Sequence, residues 1–138
     1  MRINVIFPVA GEASRFGGAF KPFLNIGDLT FIEVTYEPFK KWSHLIESVY
    51  FICTEEQEKN FNVSSRMQEL IDHDSVKTIT IKEKTIGPYQ TLKQGIEQNR
   101  ISGKAIVCDC DHSLNVDAIF EASSLDFDAV IPTWNIKE

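Results

Sequence analysis

The chain has 138 residues, 43% of them apolar and 25% charged, which is the make-up of one ordinary globular domain with a real core. Its formal net charge of −6 argues against a nucleic-acid backbone as the main partner, because such binding is carried by clustered Lys and Arg; a nucleotide, which needs only a local basic spot, stays allowed. No apolar run approaches the ~20 residues of a membrane span, and Arg2 is followed by a strand pattern instead of a signal-peptide core, so no membrane role is expected.

An apolar, β-branched run over residues 4–9 predicts a buried strand that breaks at Ala10-Gly11 into a loop of small residues. That loop carries Arg15, with Lys21-Pro22 just beyond. Thr30-Phe-Ile-Glu33 is a capping-box sequence; it predicts a helix with Phe31, Val34 and Phe39 on its apolar side, kinked or broken at Pro38. A second buried strand is predicted over 48–53. Thr54-Glu-Glu-Gln57 is another capping box at its end, opening a helix that runs to about Asp72 with an interruption near 60–65. Alternation predicts a strand over 76–82, with Ile79 and Ile81 on one face. Pro88 suits a first helical position, and Leu92 and Ile96 then stack at the i, i+4 spacing. Buried strands are also predicted over 104–109 and 128–132, and between them Asn115 caps a short helix carrying Ile119 and Phe120.

Strand and helix in this rhythm imply an α/β domain over residues 1–138: a mainly parallel, doubly wound, Rossmann-like sheet in a three-layer α/β/α arrangement. In such sheets the ligand sits beyond the carboxyl ends of the strands. The candidates are therefore residues 10–15, Thr54-Glu55, residues 83–87 and Asp109-Cys-Asp-His112, with Lys21 folding back from the first loop.

The first loop is tested against two phosphate-binding patterns. A dinucleotide fingerprint fails, because its glycine positions are filled by Gly11, Ala13 and Phe16. A Walker loop fails as well, because Lys21 stands between Phe20 and Pro22. What remains is Gly-Glu12-Ala13-Ser14-Arg15, five residues, then Lys-Pro. Its exposed backbone N–H groups and two cations suit a triphosphate, and spacing alone also allows a surface turn with two solvated cations.

Asp109 and Asp111 end an apolar strand on the ligand side, and carboxylates there are the hard oxygen ligands that Mg²⁺ prefers; a solvated strand end with a turn cap is the plainer alternative. His112 is in reach of the same place. Cys108, Cys110 and His112 do not suit zinc, since a Cys-x-Cys-x-His run along one strand cannot wrap a tetrahedral ion and a second ligand pair is absent. Cys53 and Cys108 read as core residues, and three cysteines without paired spacing read as reduced thiols in a cytoplasmic protein. In Ile86-Gly-Pro-Tyr-Gln-Thr91, Gly87 lets a planar base come close to backbone, or simply begins a helix.

Phe7-Pro-Val-Ala-Gly-Glu-Ala-Ser-Arg-Phe, followed by Lys-Pro-Phe-Leu-Asn-Ile-Gly-Asp-Leu-Thr-Phe-Ile-Glu33, resembles the opening signature of the sugar-phosphate nucleotidyltransferases, in which a small-residue loop with Arg leads to Lys-Pro, a short strand-turn and a helix. The stretches from Tyr50, from Gly87 and from Val107 follow in the same order as that family's second strand, base-reading turn and metal-binding strand end. The resemblance implies a nucleoside triphosphate and a sugar 1-phosphate as substrates, Mg²⁺ as cofactor, and a nucleotide sugar and pyrophosphate as products. It implies that Ala10 and Gly11 contact the nucleoside through backbone and that Glu12, Ala13, Ser14, Gly87 and Asp109 complete the nucleotide site. Arg15 and Lys21 would hold the phosphates as the catalytic cations, and Asp111 would hold the metal. Two departures stand out: Ala13 replaces a second Gly, and the family runs well beyond residue 138, so the chain corresponds to its N-terminal nucleotide-binding portion. A nucleotide-binding module without turnover and a glycosyltransferase with an Asp-x-Asp site are the competing readings. Base, sugar and any homo-oligomeric state are left open.

Overall fold

The apolar runs pair as a parallel sheet. A computed structural model describes residues 2–12, 16–126 and 128–131 of the chain. Strands β1 (Ile3–Pro8), β4 (Ile46–Thr54), β5 (Val76–Ile81) and β6 (Ala105–Val107) form one four-stranded sheet in the order β5-β4-β1-β6, with every pairing parallel. Strands β2 (Asn25–Ile26) and β3 (Leu29–Thr30) make a separate antiparallel hairpin, which is the strand-turn that the resemblance implies.

The two faces of β1 explain why its sequence is apolar throughout instead of alternating. Val5 and Phe7 face a core with Val49, Phe51 and Cys53, whereas Ile6 faces a second core with Ile52, Ile79 and Ile81. The first core is covered by α1 (Phe31–Tyr36), α3 (Val63–Leu70) and α5 (Val116–Ser123), through Ile32, Tyr36, Met67 and Phe120. The second is covered by α4 (Pro88–Asn99), through Leu92 and Ile96. Helices on both faces give the expected α/β/α arrangement.

Local chemistry places the helix starts where it was read. Thr30 and Glu33 form a reciprocal capping box on α1, and Thr54 and Gln57 form one on α2 (Glu55–Phe61). The interruption after α2 is a single residue, Asn62, whose φ of 52° lies in the left-handed region that Asn tolerates. Pro88 is at the head of α4, and the Asn115 side chain accepts from Ala118 N at 3.2 Å to cap α5.

The helix break expected at Pro38 is present, and three expectations are corrected. Helix α1 ends at Tyr36, and Pro38 lies in a 3-10 stretch over Glu37–Leu45, because its ring cannot continue the α-helical bonding. The buried side of that region is Ile32, Tyr36 and Phe39 instead of Phe31, Val34 and Phe39, the helix being rotated so that Tyr36 stacks on Phe39. The strand expected over 104–109 shortens to Ala105–Val107, although Cys108 N still donates to Ile6 O at 3.0 Å. In the expected strand over 128–132, residues 128–131 are not extended in a sheet and Ile131 is 80% exposed; an apolar run needs a neighbouring strand, and none among the described residues bonds it. Pro132 lies outside the described residues.

Candidate nucleotide site

Because β1 lies between β4 and β6, the order of strands reverses at β1, and a crevice forms beyond the carboxyl ends at such a point. Here it is a cleft of about 540 Å³ between the loops that follow β1, β5 and β6, within the range of small-molecule sites. Among the described residues, it brings together Ala10, Gly11, Glu12, Lys21, Gly87, Asp109 and Asp111, all named from sequence. Ala13, Ser14 and Arg15 lie outside the described residues.

The first loop leaves the sheet in two steps. Val9 N donates to Ile52 O at 2.8 Å, and Val9 and Ala10 remain buried. Gly11 then emerges into open space, where its carbonyl accepts from Gln57 Nε2 at 3.3 Å. Gln57 thus caps α2 and ties the first loop to it, a second use of the capping-box residue that no local pattern discloses.

Lys21 is aimed by its neighbours. Phe20 is buried and stacks on Phe61, and Pro22 is buried at the start of the 3-10 turn Lys21–Phe23, so the ammonium between them points into the cleft. There Lys21 Nζ donates to Asp111 Oδ2. Hydrogen bonding to Asp111 raises the Lys21 pKa above its ordinary value, against a smaller effect of burial. For Asp111, burial pushes the carboxyl pKa up, but the hydrogen bond and charge of Lys21 together prevail, and it lies below the usual value. Both groups therefore carry full charge near neutral pH.

The turn after β6 is held from behind. Thr35, buried on α1, donates from Oγ1 to Cys110 O at 2.9 Å, while Asp109, Asp111 and His112 converge in front. His112 Nδ1 is 3.3 Å from Asp111 Oδ1 and 3.4 Å from Asp109 Oδ2. Ligand atoms of the three lie within 4.8 Å of one another. The two carboxylates are hard oxygen donors suited to Mg²⁺ or Mn²⁺, whereas the imidazole is a ligand that later transition metals prefer. The cysteine sulfurs are not among these converging ligand atoms; burial pushes the Cys108 thiol up to about 12 and the Cys110 thiol up to about 11. All three cysteines are free.

On the opposite wall, the Gly87 turn is braced by two hydroxyls. Thr85 Oγ1 donates to Gly87 O at 3.1 Å and lies 2.5 Å from Thr91 Oγ1, and Thr91 N also donates to Gly87 O at 3.2 Å. A Cβ built on Gly87 would meet nothing within 4 Å, so this position opens to solvent. Thr35, which the sequence did not single out, and Gln57, Thr85 and Thr91, which it gave only as a helix cap, part of the 83–87 loop and the end of the glycine turn, all act by holding a backbone carbonyl. The one available signal was a buried Thr inside a helix, seen at Thr35 and Thr91. Of the expected pair Thr54-Glu55, Thr54 lines a neighbouring cleft and Glu55 lines neither.

A family model described as a MobA-like NTP transferase domain matches residues 5–137. No curated protein matches the chain. Among solved structures, a nucleoside-diphosphate-sugar pyrophosphorylase from Vibrio cholerae RC9 is similar with a TM-score of 0.63 and 17% identity, over 78% of this chain and 47% of that one. A 4-diphosphocytidyl-2C-methyl-D-erythritol synthase is similar with a TM-score of 0.53 and 17% identity, over 80% of this chain and 47% of that one. At such identity the likeness is one of fold. The chain spans about half the length of either structure.

Proposed function

This chain belongs to the family of MobA-like NTP transferase domains, and from that premise we propose that it transfers a nucleoside monophosphate from a nucleoside triphosphate to a sugar 1-phosphate. An oxygen of the sugar phosphate attacks the α-phosphorus, the new P–O bond forms, and the bond to the β-phosphate breaks with its electron pair leaving on pyrophosphate. The attacking oxygen is already anionic, so no general base is required, and catalysis becomes alignment and neutralisation of charge.

The observation that carries this reading is the meeting of Lys21, Asp109, Asp111 and Gly87 in one cleft at the strand ends. Lys21 would hold the phosphates together with Arg15, and the backbone of Ala10 to Ser14 would meet the nucleotide along the loop. Gly87 would admit the base. Asp111, with Asp109 and His112 beside it, would hold Mg²⁺, which supplies neutralisation of phosphate charge when bound. Free, buried cysteines support a reducing, cytoplasmic setting. No helix among the described residues is long and apolar enough to cross a membrane.

Pyrophosphate release should be measured across the common nucleoside triphosphates and a panel of sugar 1-phosphates with Mg²⁺. At least one pairing is expected to turn over, and Lys21→Ala should lower its kcat/KM about 100-fold, the scale of losing one aimed cation or donor at the transition state. Absence of turnover with every pairing overturns the enzymatic reading. Binding of a triphosphate without turnover leaves the module reading in its place.

A further inference from the structure

A second cleft, of about 700 Å³, opens between the first loop and α2. It shares a wall with the first: Ala10, Gly11, Glu12 and Lys84 line both. At that wall Lys84 Nζ lies 2.5 Å from Glu12 Oε2, so an ion pair crosses from the loop after β5 to the loop after β1. Both side chains are more than half exposed, at 54% and 62%, and such a pair is screened by water and easily exchanged.

The charge around the cleft makes this pair informative. Lys21 and Lys84 are the two lysines that line the first cleft among the described residues, and each rests on a carboxylate, Lys21 on Asp111 and Lys84 on Glu12. A polyphosphate entering between them meets repulsion from Glu12, Asp109 and Asp111, which the attraction of the two lysines offsets if they turn from carboxylate to phosphate. Lys84 is well suited to do so, because an ammonium on a flexible stem needs no rearrangement of backbone to change partners.

We infer that Lys84 is a phosphate-positioning residue, held by Glu12 until the polyphosphate of a nucleotide replaces that carboxylate. The inference rests on the nucleotide reading of the site and adds a third cation to it, from a different loop. Glu12 then acts against binding: it competes for Lys84 and repels the incoming charge. A pair that serves only to strap the two loops together has the other consequence, since removing either partner would loosen the site equally.

The two partners therefore carry opposite expectations. The full chain would be titrated calorimetrically with each of the four common ribonucleoside triphosphates in the presence of Mg²⁺, and with tripolyphosphate. Thermal unfolding would confirm that each variant is folded. Lys84→Ala should weaken the tightest triphosphate about tenfold and Glu12→Gln should tighten it about threefold, as expected for gain or loss of one charge-assisted contact, with the double variant close to Lys84→Ala. The inference is overturned if Lys84→Ala stays within about twofold of the unaltered chain, or if Glu12→Gln weakens binding as much as Lys84→Ala does. Failure of the unaltered chain to bind any triphosphate overturns the nucleotide reading and this one with it, whereas tight binding indifferent to Lys84 overturns this one alone.

Discussion

Thr35 illustrates how a residue that touches no ligand sets the geometry of those that would. Its hydroxyl holds the Cys110 carbonyl from the core side, and the two neighbouring carboxylates, Asp109 and Asp111, are thereby turned outward toward His112. Thr35→Val keeps the shape but leaves that buried carbonyl without its partner, which should cost about 1–3 kcal/mol of stability. It should also weaken Mn²⁺ binding, read by electron paramagnetic resonance, since the ligand turn loses its support. Thr35→Ser keeps the hydroxyl and should restore the metal affinity. If the metal affinity is unchanged in the valine variant, the positioning role is wrong. No neighbour of Thr35 in sequence announces the role, because its partner is 75 residues away.

At the scale of elements, α4 shows how close packing can override propensity. A Cβ built on Gly95 would lie 2.4 Å from Ile52 Cδ1 and 3.0 Å from Ile52 Cγ1, and Ile52 is fully buried in the sheet. The helix rests on the sheet at that glycine. Gly95→Ala should gain about 1 kcal/mol in helix propensity and lose more to overpacking, which commonly costs about 1–3 kcal/mol. Net destabilisation, seen as a lower urea midpoint, is expected; a raised midpoint would show that Ile52 gives way freely. The helix itself was legible from Pro88 and the Leu92–Ile96 spacing, both of which are local signals. That its buried face also includes Gly95 was not, because a glycine inside a helix reads only as a weak point until the strand beneath it is known.

For the whole molecule, carboxylates hold a helix cap at Glu33 and tie distant elements together at Asp117, and this sets the dependence of stability on acid. The backbone and side-chain hydrogen bonds from Thr30 hold the Glu33 pKa below its ordinary value, and those from Lys41 and Trp42 do the same for Asp117. A lowered carboxyl pKa contributes stability above the unfolded-state pKa and loses it as pH falls through the folded-state value. The melting temperature is therefore expected to be level from about pH 5 to 8 and to drop below about pH 4. Glu33→Gln should make the drop shallower; an unchanged acid limb would exclude that carboxylate as a contributor. The amino-acid order alone determined the interactions that close within about four residues: both capping boxes, the Pro88 and Asn115 helix starts, and the apolar runs of β1, β4 and β5. It also ordered the motifs along the chain so that loop, base turn and acidic strand end could be named. Which of them meet was decided by tertiary structure. Lys21 reaches Asp111 across 90 residues because β6 lies beside β1. Lys84 reaches Glu12 because β5, on the far side of β4 from β1, delivers its loop to the same rim. The apolar run expected as a strand over 128–132 forms none over its described residues 128–131 for the same reason, since strand pairing is a property of neighbours in space and no local pattern contains it.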